Sequence, residues 1–440
     1  MFRCPCAARL VVFLLVCSAS VTFADPALML SGTFRGRLES LDGQFRQVGS
    51  ASDLQLATRV TARVDFDATE HWRLSGELMD SRVFLTDDGS LVNTTMVNVT
   101  ELINANLRWT SNDGNESVTV GRYTLDLGSR RLIGRNNFRN TTNAFQGLLG
   151  KWTPVTGVTV TAFYNYPSII RPTARQALLD ATFEDDDRGS TQRLYGVHIE
   201  NSGLAADLRS EAYWIGLDES DAASRATADR RLDTAGVRLR RTKSPEHWDF
   251  ELETMWQWGT RRATTSQADT KNLDVRAGLL HVDAGYSFDG ARRLRLAFDW
   301  ISGDKSPLDD RYGRFDTLFG PSVPDFGFTG IYGALARANL IAPELRYEWT
   351  TGRTDAYVAW RPVWVDQPAD AFGRSGVSGA SGGDRFAGQQ VHGRVRFWFA
   401  QRSANFDVGG AWLQGGDFFD ANLPGFDHAV YVYAAINARF

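Results

Sequence analysis

The chain has 440 residues, 43% of them apolar and 23% charged, with 41 Gly, 13 Trp, 12 Tyr and 27 Phe but only 13 Pro. This composition excludes a disordered, collagen-like or disulfide-framework protein. The 48 basic and 52 acidic residues nearly cancel, yet only four of the basic residues are Lys and all the others are Arg. Because the Arg guanidinium binds carboxylates bidentately and is weakly hydrated, this bias predicts a shared role for the arginines.

The N-terminal segment has the pattern of a secretory signal peptide. Arg3 and Arg9 precede an apolar run at 10–16, and the small residues of a cleavage site follow, ending at Ala24. We therefore predict a signal peptide at 1–24 and one mature domain at 25–440. All three cysteines lie within that peptide, so we expect no disulfides in the mature chain. No later segment approaches the roughly 20 apolar residues of a membrane helix, which leaves a soluble periplasmic protein or a membrane β-barrel.

The hydrophobic period distinguishes these two classes. Residues 54–66 alternate apolar and polar side chains for over a dozen positions, and 248–258, 294–300 and 391–399 repeat the pattern. A typical soluble strand has about 5 or 6 residues, whereas a tilted membrane strand needs about 10. In each segment one face is apolar or aromatic and the other is charged or polar. A wide barrel places the first face against lipid and the second against water.

Eighteen segments fit this strand pattern, and their connections alternate between short and long. We predict an all-β fold, a transmembrane antiparallel up-and-down β-barrel of about 18 strands with short periplasmic turns and long extracellular loops. The predicted strands are 29–39, 53–66, 72–81, 97–109, 117–127, 143–152, 157–166, 192–201, 206–217, 232–241, 247–259, 273–288, 292–302, 338–349, 354–366, 389–400, 404–414 and 429–440.

The last predicted strand and the aromatic residues support a membrane location. Apolar residues of one parity run from Val430 to the terminal Phe440, which resembles the signal read by the outer-membrane insertion machinery. The alternative is a terminal strand of a soluble domain. Several tryptophans fall near strand ends, where membrane proteins carry aromatic belts. These are Trp72, Trp109, Trp152, Trp349 and Trp398.

The polar parity of a barrel of this width lines an aqueous lumen. The arginines on that parity are Arg35, Arg37, Arg59, Arg63, Arg73, Arg108, Arg238, Arg240, Arg346, Arg361, Arg394 and Arg396, and the acids include Glu39, Asp65, Glu77, Glu211, Glu251, Glu253, Glu344 and Glu348. Two hypotheses stay open. Segregated charges would create an anion-favouring path along one wall, whereas cross-strand ion pairs would only stiffen the wall.

Four segments together resemble the alginate export family of outer-membrane proteins. They are FRGRLESLDGQFR at 34–46, the Arg-rich stretch GRYTLDLGSRRLIGRNNFRN at 121–140 followed by NAF, the SGD…FDTLFG segment within 301–333, and the terminal RF. The resemblance covers essentially the whole mature chain. It implies an eighteen-stranded barrel whose narrow, Arg-rich constriction passes a linear polyuronate.

The resemblance also implies which residues form the pathway. Arg122 and either Arg131 or Arg130 match the Gly-Arg and Gly-x-x-Arg positions of the family, and Arg35 and Arg37 match more loosely. Guanidinium groups in a file can pass uronate carboxylates along by exchanging bidentate hydrogen bonds. The predicted pathway comprises Arg122, Arg131, Arg130, Arg35, Arg37, Arg59, Arg63, Arg361, Arg394 and Arg396.

Other motifs carry weaker functional hypotheses. The G-x-S-x-G match at 379–383 lies in a Gly/Ser-rich loop, where composition alone produces it, so we expect no enzyme. The six histidines show no metal-ligand spacing, and no metal or cofactor is expected. The acidic run 184–187 and the pair Asp309 and Asp310 could bind Ca²⁺, although solvation of a loop is favoured. Residues 173–183 have a helical pattern that suits a plug, a lid or surface structure.

These observations predict a channel in the outer membrane of a Gram-negative bacterium that passes an anionic polysaccharide or oligosaccharide by passive diffusion. The expected partners are that saccharide, outer-membrane lipid and lipopolysaccharide, the barrel-insertion machinery and periplasmic export proteins, with no nucleic acid. One alternative is a general porin for small anions or sugars. Another is a structural or adhesive barrel plugged by its loops.

Overall fold

The computed structural model describes residues 27–46, 51–222 and 225–440. The predicted signal peptide, 1–24, lies outside these residues. The strands are β1 Leu28–Asp42, β2 Ser52–Asp67, β3 Trp72–Phe84, β4 Asn98–Thr110, β5 Glu116–Tyr123, β6 Phe145–Val155, β7 Val158–Pro167, β8 Gln192–Ala205, β9 Leu208–Glu219 and β10 Arg231–Arg241. They continue as β11 Trp248–Arg262, β12 Asn272–Ser287, β13 Arg292–Ile301, β14 Arg311–Tyr312, β15 Leu340–Thr350, β16 Thr354–Trp364, β17 Phe386–Phe399, β18 Ala404–Gly415 and β19 His428–Arg439.

The helices are short and lie in the connections. They are α1 Arg175–Leu179, α2 Val323–Phe326, α3 Asp417–Asn422 and a 3-10 turn at Ala400–Arg402. Within the described residues, none of the helices has the length and apolar character needed to cross a membrane. The helical pattern at 173–183 is confirmed, because α1 lies inside that segment.

Eighteen long strands close into one antiparallel barrel, which confirms the predicted fold class. β1 pairs with both β2 and β19, and each other long strand pairs with the long strands before and after it. The two-residue strand β14 is extra: it belongs to a loop, pairs in parallel with β12, and leaves β13 and β15 as neighbours. Closure pairs the backbone groups of every long strand on both sides, as the apolar part of a bilayer requires.

Side chains alternate across the barrel wall as the sequence pattern predicts. On β1, Phe34 and Leu38 are 40% and 45% exposed on the outside, whereas Arg35 and Arg37 face inward and are nearly buried. Such a distribution inverts that of a soluble sandwich. The apolar residues lie outside because lipid surrounds the wall, and the charged residues lie inside against the loops.

The connections alternate as predicted between tight turns and long loops. Only two residues, Thr156 and Gly157, separate β6 from β7, and Gly157 has a φ of +87°, which a glycine adopts without strain. At the other end of the barrel, the connection between β13 and β15 spans 302–339. Leu28 and Arg439 both lie at the end with the tight turns, which we assign to the periplasmic side.

Long loops fold back into the extracellular half of the barrel and fill it. Phe372, Phe418 and Phe419 are completely buried there, and their rings pack edge to face. This arrangement gives a membrane barrel an apolar interior layer made of loop residues. The lumen is therefore much narrower than the strand count alone allows.

Two predictions at strand ends are wrong. β5 ends at Tyr123 instead of 127, because the Tyr123 hydroxyl donates to Asn165 and the Thr124 amide donates to Asn104. These two hydrogen bonds turn the chain inward.

Trp398, expected at the membrane interface, is only 8% exposed and donates from its indole nitrogen to Asp355. It faces the lumen because Phe397 and Phe399, on the opposite parity, occupy the lipid face.

Candidate functional site: the lumen and its arginines

Two loops meet inside the barrel and form its constriction. Loop A comprises residues 124–144, and loop B comprises residues 302–339. Ile133 and Phe319 form a parallel bridge between the two loops. The side-chain amide of Asn143 donates to the Phe319 carbonyl over 2.8 Å. Loops A and B therefore behave as one inward-folded unit.

Arginines of the barrel wall hold loop A by its main chain. Arg35 donates to the carbonyl oxygens of Asn137 and Arg139 over 2.8 and 2.7 Å, and Arg37 donates to the Phe138 carbonyl over 2.6 Å. A guanidinium carries five donors in a fixed fork, which suits successive carbonyls of an extended segment. These bonds fix the path of loop A across the lumen.

Loop B is fixed by a buried carboxylate, Asp325, which lies between two guanidinium groups. Its oxygens accept from Arg131 of loop A at 2.9 Å and from Arg337 of loop B at 2.5 Å. Arg131 also contacts Glu251 and Glu253 on β11. Burial raises the pKa of Asp325, but Arg131 and Arg337 outweigh it and hold that pKa well below its usual range. The charged cluster joins both loops to the wall.

One part of the wall is a continuous ladder of ion pairs. Arg361 binds Asp299 at 3.0 Å and Glu344 at 2.7 Å, and Arg295 binds Asp283 at 3.0 Å. Arg361 and Glu344 are completely buried. The ion-pair hypothesis therefore holds for the wall from β9 to β16.

The part of the wall near the junction of β1 and β19 is different. Among the described residues, several guanidinium groups in this region have no close carboxylate partner. Arg35 and Arg59 donate only to backbone carbonyls and to the Asn140 amide oxygen. Arg130 is exposed, and Arg394 lies 4.0 Å from its nearest carboxylate, Asp407. Ion pairs therefore explain one wall of the lumen, and an anion-favouring path along the other wall stays a prediction.

Three cavities adjoin the constriction and meet at Asn136 and Asn137. The outer cavity, about 550 Å³, lies on the extracellular side and includes Asn136. The inner cavity, about 400 Å³, includes both asparagines, and the periplasmic cavity, about 640 Å³, includes Asn137. The two asparagines of loop A thus separate the extracellular from the periplasmic side.

Each cavity has its own lining chemistry. The periplasmic cavity is lined by six arginines and a single acidic side chain, Glu77. The inner cavity combines three arginines and two acidic residues, Glu348 and Asp355, with the rings of Phe138, Phe328 and Tyr357. The guanidinium carbon of Arg394 lies 5.5 Å from the Tyr357 ring centre. Positive charge beside flat apolar rings suits a ligand with carboxylates and a ring body.

The predicted pathway residues divide into two groups. Arg122, Arg131, Arg361 and Arg37 are nearly buried and bind carboxylates: Arg122, for example, contacts Asp186 at 2.8 Å and Glu101 at 2.5 Å. Arg35, Arg59, Arg63, Arg130, Arg394 and Arg396 line the inner or periplasmic cavity. Among these, Arg63 and Arg396 are paired with Asp65 and Asp407.

The contacts of Asp186 also correct the expectation for the acidic run 184–187. Asp186 is not solvated, because it is 5% exposed and anchors the loop 168–191 to Arg122. Burial and the neighbouring Glu101 raise its pKa to about 6. Asp310 does reach solvent, where it binds Lys271. In the part of the chain that the structure describes, no three His, Cys, Asp or Glu side chains are grouped as metal ligands.

The predicted pathway omitted the four arginines of the outer cavity: Arg46, Arg139, Arg175 and Arg374. Each belongs to a different extracellular loop, and only the fold brings them together. The strand parity that located the wall arginines does not extend into loops. The Arg-rich stretch 121–140 was the available signal, since it contains Arg139.

A family model described as Alginate export matches residues 27–432. No individual curated protein matches the chain. Three solved structures have a similar fold. OccAB1 of Acinetobacter baumannii is 12% identical with a TM-score of 0.60, and the match covers 94% of this chain and 97% of that chain. OpdK of Pseudomonas aeruginosa, solved with vanillate, is 10% identical with a TM-score of 0.63 over 94% and 98%. A BenF-like porin of Pseudomonas fluorescens is 8% identical with a TM-score of 0.63 over 94% and 99%.

Proposed function

Since the chain belongs to the alginate export family, we propose that it is a channel for anionic, uronate-type saccharides in the outer membrane of a Gram-negative bacterium. The family and the fold are those of outer-membrane channels, which are not enzymes. The proposal concerns the cargo and the route that it takes. Passive diffusion suffices for this transport, because the proposed route requires no energy source.

The observation that carries the proposal is the row of arginines along the three cavities that have no carboxylate partner among the described residues or, in the case of Arg394, only a distant one, Asp407 at 4.0 Å. Arg139 lies on the extracellular side of the constriction, and Arg130, Arg394, Arg35 and Arg59 lie on the other side. An anion that moves through the lumen meets a guanidinium group in every cavity. Each contact has to be weak enough to exchange, because an anion bound tightly at one step would block the path.

The rings of the inner cavity favour a saccharide over an inorganic anion. Phe138 and Phe328 pack on each other, 5.6 Å apart between ring centres, and Phe328 is only 3% exposed. The partly exposed rings of Phe138 and Tyr357 therefore supply the apolar surface beside Arg130 and Arg394. A pyranose ring can pack its apolar face on an aromatic ring while its carboxylate binds a guanidinium group. The site therefore fits a sugar acid better than chloride or phosphate.

The buried arginines have an anchoring role in this proposal. Arg122 and Arg131 are surrounded by carboxylates, which compete with a passing anion. They position the loops that form the constriction, and the exposed arginines contact the cargo. Direct contact between Arg122 or Arg131 and the cargo stays a prediction, which the experiment below also tests.

The test is planar-bilayer conductance of the refolded protein with and without oligouronates. We expect anion selectivity and block by the oligomers. The double variant R130Q/R394Q should weaken block about tenfold, as expected when charged hydrogen bonds worth about 1.5–3 kcal/mol are lost. R276Q is the matched control, because Arg276 lies on β12 outside the three cavities. If R122Q and R131Q alter block at an unchanged open-state conductance, those residues contact the cargo directly.

A general porin for small anions or sugars is the second candidate, and the constriction favours it. The three cavities are separated at Asn136 and Asn137, which suits a single small solute. A series of uronates from monomer to hexamer distinguishes the two. Block that strengthens with length supports the saccharide channel, and a large, unselective conductance without block supports the porin. No conductance at all would support a barrel plugged by its loops.

A further inference from the structure

The outer cavity presents four arginines and no carboxylate. Arg46, Arg139, Arg175 and Arg374 come from four separate loops, and none of the residues that line the cavity is Asp or Glu. Three of them donate only to neutral acceptors, which are Gln44 and the Tyr332 carbonyl for Arg46, Asn143 for Arg139 and the Ser90 carbonyl for Arg175. Asp53 and Asp316, which do not line the cavity, offset only part of the positive charge of Arg46 and Arg374.

Burial makes this charge costly. Burial, together with repulsion from Arg374, lowers the pKa of Arg46 and of Arg139 to about 10. Burial likewise lowers the pKa of Arg374. All three groups stay protonated at neutral pH, so they repel one another across the cavity. An anion placed between them relieves the repulsion and restores favourable pairing.

Three residues that line the cavity each carry a buried polar atom for which the described residues provide no hydrogen-bond partner: Asn136 Oδ1, Arg139 Nε and Thr329 Oγ1. Asn136 is only 6% exposed. Buried polar atoms in folded proteins nearly always have partners. Arg139 Nε can donate to a carboxylate, and Asn136 Oδ1 can accept from a hydroxyl group. The orphaned atoms thus match a ligand that carries both groups.

The size and the apolar part of the lining complete the description of the ligand. Leu91, Met96, Leu318 and Phe319 supply apolar surface beside the arginines. A cavity of about 550 Å³ lies within the range of about 300–1,000 Å³ that holds organic ligands. Two sugar rings are compatible with that space, and two carboxylates would balance the guanidinium groups better than one.

We propose that the outer cavity is a saturable binding site for a hydroxylated dicarboxylate of disaccharide size, a diuronate. Arg139, Arg374 and Arg46 bind its carboxylates, and Asn136 and Thr329 bind its hydroxyl groups. The inference rests on the proposed function and deepens it, because it places recognition of two consecutive uronates immediately outside the constriction.

Calorimetric titration of the purified full chain in detergent tests the proposal, with digalacturonate, its dimethyl ester and monogalacturonate as probes. We expect one saturable site for digalacturonate and at least tenfold weaker binding of the other two. R374Q and R139Q should each weaken digalacturonate binding about tenfold. R188Q is the matched control, because Arg188 is exposed on an extracellular loop and does not line the cavity. It should leave binding unchanged.

Non-saturable binding, or equal effects of R374Q and R188Q, would overturn the proposal. Bilayer conductance of the same preparations separates this failure from failure of the channel function. Anion-selective conductance without a saturable site overturns the binding site alone. A saturable site in a protein that conducts no ions overturns the channel function and supports the site.

Discussion

The carboxylate of Asp325 is the residue on which the docking of loop B depends, since it lies between Arg131 and Arg337. D325N should weaken that docking by about 3–5 kcal/mol, because removing one partner leaves Arg337 buried without a carboxylate. The barrel itself should stay folded. We expect larger and noisier single-channel currents and faster tryptic cleavage within 302–339.

D310N is the control for this prediction, because Asp310 binds Lys271 at the surface. It should change neither the current noise nor the cleavage rate. A D325N channel with wild-type currents and protease resistance would contradict the role assigned to Asp325.

The raised pKa of Asp186, about 6, predicts a pH-dependent anchoring of the loop 168–191. Its folded pKa exceeds the unfolded value of about 4, so the folded state binds the proton more tightly. Docking should therefore strengthen as pH falls from about 7 through 6 towards 4, by on the order of 2–3 kcal/mol. Hydrogen-exchange protection factors of this loop, each referenced to the intrinsic exchange rate at the same pH, should be higher at pH 5 than at pH 8, and D186N should remove most of that difference.

Sequence alone could predict that arginines line the lumen, but it could not predict which of them form ion pairs with carboxylates. Arg35 and Arg361 share the same parity, yet Arg35 donates to loop carbonyls whereas Arg361 is buried between Asp299 and Glu344. The difference arises from which loop or strand lies opposite each side chain. Local patterns contain no information about such long-range contacts.

At the scale of elements, Asn140 joins loop A to the extracellular ends of two strands. Its amide nitrogen donates to the carbonyl oxygens of Thr58, Arg82 and Met96 over 2.8–3.1 Å. N140A should destabilise loop A by about 1–3 kcal/mol, because three buried carbonyls lose their donor. Cysteine labelling of an introduced S129C should become faster in N140A.

N93A is the comparison for N140A, because the lost amide makes only local bonds, to the Leu91 carbonyl and from the Thr95 amide. Equal labelling rates in the two variants would show that Asn140 does not hold loop A. A chain that starts at residue 25 suits this experiment, since the sequence has no cysteine after position 17.

The strands were predictable because lipid and lumen impose a period of two along each one. All eighteen long strands lie where alternation placed them, with ends displaced by a few residues. Loop B was not predictable in this way. Its fully buried Tyr332 and Phe326 contact residues from distant strands, and no local period marks them. The outer cavity is made wholly by loops, which have no local period, so it could not be predicted from the sequence either.

At the scale of the whole molecule, arginines in ion pairs and arginines without close carboxylate partners lie in different parts of the lumen. This separation predicts that the selectivity for anions over cations depends on salt. The Debye length falls from about 10 Å at 0.1 M salt to about 3 Å at 1 M. Unpaired guanidinium groups in water-filled cavities should lose their influence over that range, whereas the buried pairs should not. We expect the anion-to-cation permeability ratio, measured from reversal potentials, to fall several-fold between 0.1 and 1 M KCl. A ratio independent of salt would indicate selection by size alone.

The wall arginines hold loop A through its main-chain oxygens, at Asn137, Phe138 and Arg139. Every residue type has such an oxygen, so these bonds place no demand on the side chains that the loop displays. Substitutions at those three positions can therefore change what the constriction recognises while the loop keeps its path. The barrel thus holds the main chain of loop A in place while the side chains of the constriction can change. A few single substitutions, in evolution or by design, can therefore give new cargo specificities.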